Sequence, residues 1–146
     1  MNVLLNENED GGPDPPGPEE YAPAHKTYVD RVPDGPITSL LRDQRDRLPR
    51  RWADLSDEQW DHRYAPGKWS IREVIGHVID IERIFGYRAL VIARPGGTDS
   101  PLPGHDEEEM VRAGTWDQQS DSHILEEFGQ VRASNLLMLS RLVDTD

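Results

Sequence analysis

Residues 68–94 constrain the fold more than any other stretch, because they combine a helix start signal with a long helical repeat of apolar side chains. Ser70 and Glu73 have the spacing of a capping box, in which the hydroxyl accepts an N–H of the first turn and the carboxylate accepts the N–H of the cap. Apolar residues then recur three and four positions apart, at Ile71, Val74, Ile75, Val78, Ile81, Phe85 and Ile92. The repeat predicts one long amphipathic helix ending near Arg94.

Two polar side chains fall on or beside the apolar face of this helix. At about 100° per residue, His77 and Arg88 lie near Ile81 and Ile84. Both residue types are unusual at core-facing positions, so we predict that the functional site lies on this face of the helix. Two interpretations of Arg88 stay open: it is a catalytic residue that orients an anionic substrate group, or it forms an ion pair with a buried carboxylate such as Glu82 of a neighbouring helix or subunit.

The remaining helix signals lie on both sides of this stretch, and no alternating strand pattern occurs. A first helix is predicted from Pro36, with a kink or break near Leu48 because Pro49 removes a backbone donor. Ser56 is the predicted cap of a short second piece. Further predicted helices are a turn or two over residues 106–112, and a last long helix over residues 120–143 with an apolar arc.

The first part of the chain has a composition unlike the rest. Residues 1–33 are rich in Pro, Gly, Asp and Glu and are predicted to be a disordered tail, with residues 34–146 as a single helical domain. The 28 acidic residues exceed the 16 Lys and Arg, the net charge is −12, and no basic stripe occurs, so nucleic acid is not an expected partner. The chain contains no cysteine, and no apolar stretch suits a membrane span or a signal peptide. The expectation is a cytoplasmic protein without disulfides.

Four motifs in sequence order make the chain similar to the DinB-like superfamily. They are Y-x-P-G-K-W-S-I at residues 64–71, H-x-x-D-x-E-R at 77–83, Y-R-A-L at 87–90 and P-L-P-G-x-D at 101–106. The resemblance implies an all-α fold, an up-down four-helix bundle, with a divalent metal, nickel or zinc, held by three histidines. His77 matches the first of these, and the other two belong to an H-x-x-x-H pair on the fourth helix. That pair does not occur in this sequence, so the expectation is a bundle truncated after its third long helix.

A metal at His77 requires further ligands, because catalytic zinc typically has three from the protein. Glu73, one turn back, is a candidate, although the capping box already uses its carboxylate; Asp80, one turn forward, is nearer solvent. Without a metal, His77 is a satisfied core residue. The other histidines are predicted to lie at the surface: His25, His62, His105 and His123.

Two functions of different classes stay open. The resemblance implies metal-dependent chemistry on a small molecule, as a hydrolase or a thiol-dependent transferase, in which the metal lowers the pKa of a bound water or thiol. The alternative is a non-catalytic truncated bundle that acts as an interaction or dimerisation module, because uncovered apolar helix faces mark interaction sites. The resemblance also implies a homodimer. The sequence leaves open whether the chain is an enzyme.

Overall fold

The computed structural model describes residues 16–94, 96–97 and 101–142, and their regular structure is entirely helical. The helices are α1 (Lys26–Val29), α2 (Ile37–Ala53), α3 (Asp57–Trp60), α4 (Ile71–Ala93), α5 (Glu107–Ala113) and α6 (Asp121–Leu139), with 3-10 turns at Pro23–His25 and Trp116–Gln118. The predicted all-α fold is confirmed over these residues. None of the helices described is both long enough and apolar enough to cross a membrane.

The core lies where α6 packs against both α2 and α4. Its buried members are Trp60, Ile75, Ile79, Trp116, Ile124 and Phe128. Trp52 of α2 meets Phe128 of α6 edge-on, with the ring centroids 5.0 Å apart. The long helices α2, α4 and α6 are therefore held by one shared cluster of aromatic and branched side chains.

Helix α4 begins and ends as the sequence predicts. The Ser70 hydroxyl accepts the N–H of Glu73, and the Glu73 carboxylate accepts the N–H of Ser70 at 2.7 Å, which completes the capping box. The helix ends at Ala93, with Arg94 as its C-cap. A second capping box starts α3 at the predicted cap, Ser56.

Two helix predictions differ from the structure. The predicted break near Leu48 is wrong: helix α2 continues through Pro49, because its packing against α6 outweighs the loss of one backbone donor. The alternative, a kink near Leu48, stays a prediction. Helix α6 ends at Leu139, where the chain tightens into i→i+3 hydrogen bonds at Arg141 and Leu142. The predicted end, Val143, lies outside the described residues.

Part of the predicted tail has local helical structure. The turn Pro23–His25 leads into α1, where Lys26 and Asp30 form an exposed ion pair at 2.6 Å. Residues 1–15 lie outside the described part of the chain. The domain boundary after residue 33 and the disorder before it stay predictions.

The apolar repeat of α4 divides into two faces, where the sequence predicts one. Ile75 and Ile79 are buried against the core. Val74, Phe85 and Ile92 are 43%, 55% and 74% exposed. We call the stripe that faces away from the core the α4 seam; its members are the exposed Val74, Val78, Phe85 and Ile92 and the partly buried Ile81.

Candidate functional site

A groove of about 440 Å³ lies between α4 and α6 and includes Leu41 of α2. Its apolar walls come from Leu41, Val78, Ile81, Phe85, Gly86, Ala89, Met138 and Leu139, and its polar members are His77, Glu82, Arg132 and Asn135. A concave, mainly apolar surface with a few polar groups is characteristic of small-molecule sites.

An ion pair between Glu82 of α4 and Arg132 of α6 forms the floor of the groove. Arg132 is 5% exposed, and its guanidinium donates to a Glu82 carboxylate oxygen, to Gln44 Oε1 at 3.0 Å and to the Leu41 carbonyl at 3.2 Å. The same guanidinium lies 5.1 Å from the ring centre of Phe128. A buried guanidinium with this many partners is well compensated, and it joins α2, α4 and α6 at one point.

Asn135 completes the floor one turn along α6 from Arg132. Its side-chain amide donates to the backbone carbonyl of Glu82 at 3.0 Å. A Cβ at Gly86 would lie 2.5 Å from the Asn135 side-chain oxygen, so glycine permits this close approach of the two helices.

His77 lines the same groove as Glu82, and Arg88 lies outside it, against the loop that precedes α5. The half-buried His77 ring is tilted against Trp69 with centroids 4.8 Å apart, and the Trp69 indole donates to Glu108 at 3.1 Å. Arg88 lies over the Phe85 ring at 5.3 Å and donates to the Pro103 carbonyl at 2.7 Å. The alternative in which Arg88 pairs with Glu82 is not realised within the chain, because Arg132 takes that carboxylate. A role for Arg88 toward substrate stays a prediction.

The family profile of the DinB superfamily matches residues 40–146. This chain belongs to the DinB superfamily. The match includes α4, α5 and α6 in full and most of α2. Searches of curated proteins and of solved structures gave no match.

The described residues of this DinB domain do not fit a three-ligand metal centre. His77 stands where the resemblance implies the first ligand, but the Glu73 carboxylate accepts hydrogen bonds from Ser70 and Arg63. Burial by itself raises the pKa of Glu73, and the hydrogen bonds from Arg63 and Ser70 outweigh it and lower the pKa overall. In the described part of the chain, no three His, Asp or Glu side chains are close enough together to hold a metal ion.

Asp80, the other ligand candidate, is 24% exposed and lies one turn beyond His77. Burial raises its pKa above 3.8, and the nearby Glu127 carboxylate adds to this, while Arg83 at 3.8 Å and His77 oppose it. A partly buried carboxyl with a raised pKa is easier to protonate in the folded state than in the unfolded state.

Asp80→Asn is therefore expected to raise the melting temperature at neutral pH, by about 2 °C or less. The carboxylate lowers stability above the raised folded pKa of Asp80, and this cost disappears as the pH falls below the unfolded value of 3.8. The melting temperatures of the variant and the wild type should therefore become equal at acidic pH. Asp43→Asn, at an exposed ion pair with Arg47, is the matched control and should change little. A lower melting temperature for Asp80→Asn than for the wild type at neutral pH would show that the Asp80 carboxylate does not destabilise the fold.

The remaining histidines follow the sequence prediction except for His105. His25, His62 and His123 are exposed. His105 has a side chain only 19% exposed, and its Nδ1 is buried without a hydrogen-bond partner among the described residues. The surface prediction for His105 is wrong, because Arg88 holds the loop at Pro103 against α4.

Sequence reasoning missed the Glu82–Arg132 floor, although one signal was present. Ile124, Phe128, Arg132 and Leu136 follow one another at intervals of four, and all are buried. This spacing places Arg132 on the inner line of α6. Because arginine is charged, Arg132 was not placed in the core, although its spacing predicts a core position.

Proposed function

We propose that this DinB domain binds a small molecule in the groove between α4 and α6. The observation that carries the proposal is the combination of an apolar wall with a buried polar floor at Glu82, Arg132 and Asn135. Pockets of a few hundred Å³ with this character bury most of a small ligand and orient it through the few polar groups. Membership of the superfamily and the position of His77 on the same wall support the proposal.

The proposal is one of binding, without a catalytic step. Hydrolase or thiol-dependent transferase chemistry requires the metal that the family resemblance implies, and the described residues contain no group of three side chains that could hold it. Such chemistry would need ligands from outside the described residues or from another chain. One nickel or zinc per chain in chelator-free protein, lost in His77→Ala, would reopen the enzyme hypothesis.

A neutral apolar dye, N-phenyl-1-naphthylamine, is expected to bind the groove saturably with one site per chain. Ala89→Phe places a bulky ring in the groove without touching Glu82, and should weaken binding by about tenfold or more, comparable to a loss of 1.4 kcal/mol. Leu137→Ala removes an exposed apolar side chain of α6 outside the groove, and should leave binding unchanged. Fluorescence titration measures both variants. Equal dye binding by Ala89→Phe and wild type would overturn the proposed site.

A second candidate function is self-association through the α4 seam. Apolar residues alternate three and four positions apart from Val74 to Ile92, which is the spacing that packs helices against each other. A second copy of α4 presents the same stripe, so a twofold pair covers both seams at once. Arg88 is the polar member of this repeat, and a polar residue in a seam restricts the register of pairing.

On this second candidate, light scattering should give twice the chain mass for the wild type and the chain mass for Phe85→Glu. The carboxylate would be buried at the centre of the seam, where its neighbour Arg88 already donates to the Pro103 carbonyl, and this desolvation disfavours pairing. Leu137→Glu changes an apolar residue of α6 outside the seam, 64% exposed against 55% for Phe85, and should leave the mass unchanged. A monomeric wild type would remove the second candidate and leave the groove open to a ligand.

A further inference from the structure

A second cavity, of about 380 Å³, lies beside the first turn of α4 and shares no lining residue with the groove between α4 and α6. Its apolar walls come from Trp69, Ile71 and Val74, and from Tyr64, which is 77% exposed. A volume of this size with aromatic and branched walls suits a small molecule that has an apolar body.

Hydrogen bonds hold the loop that forms one side of this cavity. The Arg63 guanidinium donates to the Lys68 carbonyl at 2.6 Å and to the Glu73 carboxylate. The N–H of Lys68 donates to the Ala65 carbonyl at 3.2 Å, which closes a turn. Within that turn Gly67 has a φ of 75°, a conformation that glycine adopts without strain. The wall is therefore shaped before a ligand arrives, which lowers the entropy cost of binding.

Two side chains of opposite charge, Lys68 and Glu108, border the cavity. The Trp69 indole donates to the Glu108 carboxylate at 3.1 Å and so positions it there. Among the described residues, the Lys68 ammonium has no hydrogen bond or ion pair with Glu108 or with any other group. Its flexible four-carbon stem lets the ammonium reach across the opening of the cavity. The cavity thus offers a cation and an anion that are not paired with each other.

We propose that this second cavity binds a zwitterionic α-amino acid with a large apolar side chain. The side chain of the ligand lies against Trp69, Ile71 and Val74, its carboxylate pairs with Lys68, and its ammonium pairs with Glu108. The site is separate from the groove, and it does not depend on the function proposed above.

Charge selects a zwitterion over a simple ion. An anion would pair with Lys68 but would stand near the Glu108 carboxylate, and a cation would pair with Glu108 but would stand near the Lys68 ammonium. The net charge of −12 further disfavours a free anion. A zwitterion is neutral as a whole and gains a charge-assisted contact at each end.

The test follows the NMR signal of the Trp69 indole N–H during titration with phenylalanine, phenethylamine and 3-phenylpropanoate. These ligands share a ring, but phenethylamine lacks the carboxylate and 3-phenylpropanoate lacks the ammonium. Phenylalanine should bind about three- to fivefold more tightly than either analogue, the gain of one exposed ion pair. Binding of phenylalanine no tighter than that of the analogues, or an unchanged Trp69 signal, would overturn the proposal.

Two further comparisons on the same signal fix the apolar contact and the place of binding. Alanine keeps both charges but has a small side chain, and should bind about tenfold or more weakly than phenylalanine. Equal binding by alanine would overturn the choice of a large apolar side chain. Ala89→Phe, which fills the groove, should leave the affinity for phenylalanine unchanged. A loss of affinity in that variant would place the amino acid in the groove and overturn the second site.

Single variants assign the two ends of the ligand. Lys68→Met should weaken phenylalanine and 3-phenylpropanoate by about three- to fivefold without weakening phenethylamine. Glu108→Gln should weaken phenylalanine and phenethylamine by a similar factor without weakening 3-phenylpropanoate, and its amide oxygen can still accept from Trp69. Equal loss of all three ligands in either variant would overturn the charge assignment, because that pattern indicates a changed cavity shape.

The matched controls are Lys26→Met and Glu107→Gln, which remove the same charges outside the cavity and should leave all affinities unchanged. Lys68 and Glu108 are both exposed, so circular dichroism should show unchanged helices in the test variants. If a variant does not fold, the comparison of the three ligands on the wild type decides.

Discussion

Gly76→Ala is expected to lower the free energy of unfolding by about 3 kcal/mol, because the side chain of Trp116 occupies the space that a methyl group needs. A Cβ at Gly76 would lie 2.1 Å from Cδ2 of Trp116, and it would meet two further carbons of the indole at 2.4 Å. Trp116 is buried in the core cluster and cannot move away without disturbing Ile75 and Ile79. The contact brings the 3-10 turn Trp116–Gln118 directly onto the backbone of α4.

Urea unfolding followed by circular dichroism measures this effect, with Gly129→Ala as the matched control. Gly129 lies within α6, and a Cβ there meets no atom within 4 Å. Alanine favours a helix interior over glycine by up to about 1 kcal/mol, so the control should be more stable than the wild type. A Gly76→Ala protein as stable as the wild type would show that Trp116 does not pack on α4 as described.

Arg132→Met is expected to lower the free energy of unfolding by about 3–5 kcal/mol, since it leaves the buried Glu82 carboxylate without its partner. Arg132 also holds α2 through the Leu41 carbonyl and Gln44, and these hydrogen bonds are lost at the same time. The Glu82 side chain is 14% exposed, so water cannot readily replace the guanidinium.

Urea unfolding of the single and double variants separates the charge from the packing. Adding Glu82→Met to Arg132→Met should recover a large part of the stability, because an apolar pair replaces an unpaired ion. Arg83→Met is the control: its ion pair with Glu127 at 2.7 Å lies on the surface and should be worth less than about 1 kcal/mol. A loss for Arg132→Met no larger than for Arg83→Met would contradict the buried pair.

The local parts of the fold could be predicted from the sequence because the interactions that create them are local. The capping box at Ser70 and Glu73 joins residues three apart, and the same holds for Ser56 and Gln59. The type and limits of α4 follow from these contacts and from the apolar repeat. The family resemblance, carried by separated motifs, supplied the bundle.

The burial of charged residues could not be predicted from the sequence, because it depends on partners that are distant in the chain. Arg132 is buried because Glu82 and Leu41 come to it from two other helices. Arg72 is buried because Asp61, which follows α3, and Asp121 of α6 both accept from it. In the candidate site, His77 was predicted on α4. The groove floor, however, is formed by contacts between α4 and α6, and residue spacing within one helix does not predict which residues of two helices meet. Phe85 is exposed for the converse reason, since no described element covers it.

The packing of α6 against both α2 and α4 also has a consequence for the order of folding. Residues 54–120 lie between α2 and α6, so contact between these helices requires closure of a long loop. Closing such a loop costs chain entropy before the stabilising contacts form, and this slows folding. During synthesis α2 emerges long before α6, and a helix of that length is marginal in water without its tertiary partner. The bundle should therefore assemble late, once α6 has been synthesised and can pack against both α2 and α4.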